Sequence, residues 1–394
     1  MMSRDGEVDI VSVFRSRPAL RWLVPSAAAV AVIGGGAAAG TIVASADPAL
    51  PDRSAAQLLV DLQGADPAGF SGTVVQSTDL GLPGVAGLLK NVEGGGLTSL
   101  VSGSNTARVW YASDDKVRLA LLGTDGETDV IRNAGDVWIW KSSDNTGTHV
   151  TLPEDIAEKA AAEKKALPTG VPSTPQEAAD AALAAIDGTT KVTTTGAAEV
   201  AGRDAYELVL SPKDANSLIG QVRLAIDAAE HIPLRVDVYA KNATKPAVRV
   251  AFEQVSFTVP DAQQFTFNPP PGAKVEEVKP SSDELEQHAK QDVTKPADVA
   301  GSENIKMIGQ GWTSILSAKL PDDAPSLESA AAEAGKQGGQ QGEAVAGLLE
   351  TLPKVSGDWG SGRLLSGSLF TVLLTDDGRV FAGAVTPEAL YAVA

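Results

Sequence analysis

Between positions 106 and 152 the sequence offers five runs of strand-forming residues, 106–112, 116–122, 127–133, 136–141 and 146–152. They are separated by Ser113-Asp114-Asp115, Gly123-Thr124-Asp125-Gly126, Ala134-Gly135 and Ser142-Ser143-Asp144-Asn145, residue types that accept tight or left-handed backbone. Such spacing specifies an antiparallel meander. Within the fourth run Trp138 and Trp140 fall on one face and Val137 and Ile139 on the other, because strand side chains alternate. Both faces therefore require cover, helices on one and something else apolar on the other.

Strand patterns also occur at 70–76, 191–200, 203–210, 220–227, 232–240 and 247–258. A helix is expected over 53–64 with Asp52 as its cap, and two more over 153–166 and 174–186, the last opened by Thr174-Pro175 and Glu177. About eleven antiparallel strands exceed what a flat open sheet tolerates. The expected fold is mainly β with α (α+β), a curved, unclosed antiparallel barrel with helices on its concave face. This unit spans 47–272. A charged, Pro-spaced linker follows at 273–303, then a small α+β unit at 304–394. The latter shows a strand over 312–318, a short helix over 343–351 and a hairpin, 369–374 with 379–385, turning at Asp376-Asp377-Gly378. Thr386-Pro387-Glu388 starts a final helical turn.

Near the start, Arg15, Arg17 and Arg21 precede an uncharged run over 22–46 that closes on Ala44-Ser45-Ala46. The run is long enough to cross a bilayer, and its small-residue end suits a signal peptidase. A signal peptide cleaved near Ala46 and an uncleaved membrane anchor both fit. Either places the rest outside the cytoplasm, since the basic flank stays inside. The net charge is -18, and residues 1–46 add +1, four arginines against Asp5, Glu7 and Asp9. The remainder repels phosphate backbones, which argues against nucleic acid. With no cysteine there is neither disulfide nor thiolate nucleophile.

Catalytic patterns are missing. His149, His231 and His288 lack metal-ligand spacing, and there is no G-x-S-x-G, P-loop or HExxH. Neither an enzyme nor a cofactor nor a metal is expected. The candidates for function are apolar. A Gly- and Leu-rich connection over 79–105 reads as a packed flap containing Leu80, Leu82, Val85, Leu88 and Leu89. Trp110, Trp138 and Trp140 read most simply as core, with the mouth of a groove as the alternative.

Several of these residues carry a family resemblance. A helix followed by Phe70-x-Gly72-x-Val74-x-Gln76, then Arg108-Val109-Trp110-Tyr111, Lys116-Val117-Arg118-Leu119 and Asp136-Val137-Trp138-Ile139-Trp140, resembles the opening half of the LolA-type lipoprotein carriers. The two-unit layout is more similar to their relatives, the sigma-E regulators of the RseB (MucB) type. The resemblance spans about 53–271 and implies an unclosed barrel whose apolar concave face accepts acyl chains. It carries over no individual ligand residue. Three functions are expected in competition. One is an exported, membrane-associated protein holding the acyl part of a lipoprotein or other amphiphile. Another is an envelope sensor acting on an anti-sigma factor, and the third is a structural envelope protein without ligand.

Overall fold

A computed structural model describes residues 50–82, 102–123, 126–153, 188–282, 305–319, 347 and 351–394. Its first element, α1 (Ala55–Gly64), starts where Ser54 caps it: the Ser54 hydroxyl accepts from the Gln57 amide at 3.2 Å, and the Gln57 side chain accepts from the Ser54 amide at 2.9 Å. This reciprocal box, rather than Asp52, fixes the helix start.

Twelve strands form one large sheet: β1 (Phe70–Asp79), β2 (Ser102–Ser113), β3 (Lys116–Leu122), β4 (Glu127–Asn133), β5 (Asp136–Lys141), β6 (Thr146–Thr151), β7 (Thr190–Val200), β8 (Arg203–Pro212), β9 (Ile219–Asp227), β10 (Pro233–Ala240), β11 (Val248–Ser256) and β12 (Lys274–Val278). Their order is β12-β6-β5-β4-β3-β2-β1-β11-β10-β9-β8-β7. All pairings are antiparallel except β12 with β6. The sheet is open and strongly curved. Val200, at the end of β7, shares a core cluster with Val250 and Phe252 of β11 although three strands lie between them in the order.

Where β1 meets β11, Thr73 pairs with Gln254 but Val74 pairs with Phe252, so one residue of β11 bulges out and bends the sheet. Gly72 makes the bend possible. A Cβ there would lie 2.4 Å from the Gln254 carbonyl oxygen and 2.8 Å from the Phe252 ring.

The twelfth strand comes from the stretch whose sequence reads as linker. After β11 the chain crosses the meander through a 3-10 turn (Ala262–Phe265), packs Phe267 on Trp138 and Trp140, and then runs parallel to β6. The helices expected at 153–166 and 174–186 lie outside the described residues apart from Pro153.

A second, six-stranded sheet has the order β13-β14-β18-β17-β16-β15, from β13 (Ile305–Ile308), β14 (Ile315–Lys319), β15 (Lys354–Gly357), β16 (Gly360–Ser366), β17 (Thr371–Thr375) and β18 (Arg379–Gly383). The expected hairpin is β17–β18. Its core of Ile315, Leu364, Leu373 and Phe381 is closed by Leu390 from α2 (Pro387–Tyr391).

Candidate binding face

The registers sort the large sheet into two faces of opposite character. On one, Leu58 of α1 packs into Tyr206, Leu208, Leu224 and Ile226. Following the pairings from strand to strand, the same face carries Val236 and Val250, then Val74, Ala107 and Leu121. It continues across the meander as the row Leu119–Val130–Ile139 and as Val137–Val150–Val278. These meander positions are half-buried. A mainly apolar surface thus runs past α1 into the meander, with Thr128, Arg132 and Thr148 at its polar positions there.

One buried polar group on this face is satisfied internally. Asn105 donates to Gln76 at 3.0 Å and Gln76 to Thr78 at 2.7 Å, all three buried on this face.

The opposite face is charged. Arg235 bridges Glu207 at 2.8 Å and Asp237 at 3.1 Å, and Arg249 grips Asp237 at 2.6 Å and 3.0 Å. The hydrogen bonds that Arg249 donates to Asp237 raise its pKa, against the effect of burial. On the meander half, Arg118 lies over the Trp110 ring and pairs with buried Asp129. Burial and the neighbouring Asp129 raise the Glu127 carboxyl, a shift that Arg118 and Arg108 oppose.

The tryptophans belong to this second face. Trp138 and Trp140 pair with His149 and Gly147, and across β4 with Ile131 and Asp129, which stand opposite Arg118 and Ala120 of β3. Trp110 stands opposite Arg118. The three therefore lie on the far side of the sheet from α1, and Trp140 is buried under Phe267. Of the flap candidates, Leu80 and buried Leu82 follow the end of β1, where the Leu80 carbonyl accepts from the Ser368 amide at 2.7 Å. Val85, Leu88 and Leu89 lie outside the described residues. Alternation places the tryptophans together but cannot reveal which face receives the helix. The signal for the apolar face was Val137 and Ile139, the other half of the same alternation.

Among the described residues no group of three or more histidines, aspartates and glutamates is placed to hold a metal, and no helix is long and apolar enough to cross a membrane. The run over 22–46 lies outside them. The arrangement can exclude water and bury hydrocarbon.

Residues 101–282 match the family model of the MucB/RseB N-terminal domain. The matched stretch runs from β2 to β12. No curated protein matches the chain. Among solved structures, a chain of the Pseudomonas aeruginosa MucA/MucB complex is 16% identical, covering 86% of this chain and 96% of that one, with a TM-score of 0.39. MucB in complex with MucA(peri) stands at 15% identity, the same coverages and a TM-score of 0.39. A LolA superfamily protein from Nitrosomonas europaea is 11% identical over 55% of this chain and 99% of its own, with a TM-score of 0.21.

Proposed function

We propose that this is an extracytoplasmic, membrane-associated binding protein that holds the acyl part of a lipoprotein or another amphiphile on the apolar face of its large sheet. The observation that carries the reading is the pair of rows Leu119–Val130–Ile139 and Val137–Val150–Val278, half-buried and continuous with the surface that α1 covers. Hydrocarbon burial gains about 0.8 kcal/mol per methylene, on the order of 10 kcal/mol gross for a fifteen-carbon chain. No acid, base or nucleophile is needed.

A second reading, an envelope sensor acting on an anti-sigma factor, is favoured by the family model and by the second sheet docked on the first. Both readings use the same apolar face and differ in what is done with occupancy. Titration of the full chain with a fluorescent long-chain fatty acid tests what they share. Saturable binding weakened about tenfold or more by Ile139→Glu is expected. Equal binding by both proteins removes the face from consideration.

A further inference from the structure

The small sheet touches the large one at three places along one end of its strands. At β1, the Ser368 amide donates to the Leu80 carbonyl at 2.7 Å and its hydroxyl to the Asp79 carbonyl at 3.3 Å. Between β8 and β9, buried Ser217 bridges buried Val385: Leu218 donates to the Ala384 carbonyl at 2.9 Å, and Thr386 to the Asn216 carbonyl at 3.0 Å. At β7, the Trp312 indole donates to the Thr190 hydroxyl at 2.7 Å. β1 and β7 are the two ends of the arc β1-β11-β10-β9-β8-β7. A body with its own core, fixed at both ends of an arc and at a point between, holds the curvature of that arc.

We infer that the small sheet is a brace that sets the curvature of the apolar face and thereby the length of acyl chain the face accepts. The inference rests on that face being the binding face and assigns its size selectivity to a unit that lies outside it. Hydrocarbon contact has no direction of its own, so size discrimination must come from shape. Linkage makes the effect reciprocal: a chain that needs a flatter face weakens docking of the brace, and a tightened brace rejects that chain.

The chain's lack of cysteine permits a direct test. A Cβ at Gly81 would stand 3.6 Å from the Ser368 Cβ, within the range a disulfide spans. Gly81 has φ +67°, so a cysteine there is strained in both redox states, and the informative comparison is between them. Full-length Gly81→Cys/Ser368→Cys, oxidised and reduced, is titrated with fluorescent decanoyl, myristoyl and stearoyl fatty acids. It is compared with the parent and with an unbraced Ser217→Arg/Trp312→Phe/Ser368→Pro variant.

The expected result is that oxidation sharpens preference for the shorter chains about tenfold and that unbracing flattens it. Saturating stearoyl probe also slows disulfide closure in the reduced pair. Equal selectivity in the oxidised and reduced pair overturns the brace while leaving the binding face intact. A parent that binds none of the probes removes both.

Discussion

The Trp138 indole and the His149 imidazole stack with centroids 4.1 Å apart and planes 7° from parallel. The stack holds the imidazole edge-on to two strands at once, with Nδ1 2.8 Å from Glu277 of β12 and Nε2 3.0 Å from Asp136 of β5. The ring thus lies between carboxylates of both strands. It thereby pins the edge strand that leads out of the large sheet. Because the carboxylates are 57% and 55% exposed, each ion pair contributes under about 1 kcal/mol, and the stack adds about as much. His149→Phe should cost about 0.5 kcal/mol and His149→Ala about 1–2 kcal/mol. Both should speed hydrogen exchange over 274–278, and unchanged exchange there would refute the pin.

Asp227 anchors the β9–β10 turn. It accepts two hydrogen bonds from Arg203 at 2.8 and 2.9 Å and the amides of Ala229 and Glu230 at 2.9 and 2.8 Å. Burial pushes its pKa up, but these donors outweigh burial and hold it below 3.8. A carboxyl depressed in the folded state stabilises above its unfolded pKa and loses that contribution as pH falls through its folded value. Asp227→Asn should therefore destabilise by about 3 kcal/mol near neutrality, with the difference shrinking below about pH 3.8. Paired denaturant melts across pH check this. A difference that stays constant down to strong acid contradicts it.

Gly72→Ala should destabilise by about 1–3 kcal/mol, since the new methyl meets the Gln254 carbonyl and the Phe252 ring at the bulge. Gly64→Ala, at a position with nothing within 4 Å, is its control and should be near neutral or mildly stabilising. Chemical denaturation of both variants checks this, and equal midpoints would remove the close approach from the account.

The meander was legible because its signals are local. Lys116–Leu122, Glu127–Asn133 and Asp136–Lys141 are bounded by turn residues and stand where alternation and turn chemistry place them. Lys274–Val278 was not legible. A parallel edge strand pairs with residues 128 positions away, as Glu277 does with His149, and nothing in Lys-Val-Glu-Glu-Val announces that partner. The same distance effect hides what covers Trp138 and Trp140. Their alternation was clear, but their cover is Phe267, carried across by a crossover with no periodic pattern. Short strands such as Lys354–Gly357 and Ile305–Ile308 owe their state to neighbours in the small sheet rather than to their own propensity.

The two faces make opposite predictions. Trp110→Leu removes a ring stacked under Arg118 on the charged face and should cost stability, about 1–3 kcal/mol, while leaving ligand in place. Ile139→Glu puts a carboxylate into the apolar row and should expel it. Thermal melts of the two variants beside fatty-acid titrations separate the effects. Loss of binding in Trp110→Leu at unchanged stability would move the site to the other face.

Native mass spectrometry of the full chain, extracted gently from its native cells, tests the central claim most directly. The account predicts a parent protein carrying an acyl-bearing adduct, retained by Trp110→Leu and lost by Ile139→Glu. A parent that emerges bare, or an Ile139→Glu variant as fully loaded as the parent, would contradict it.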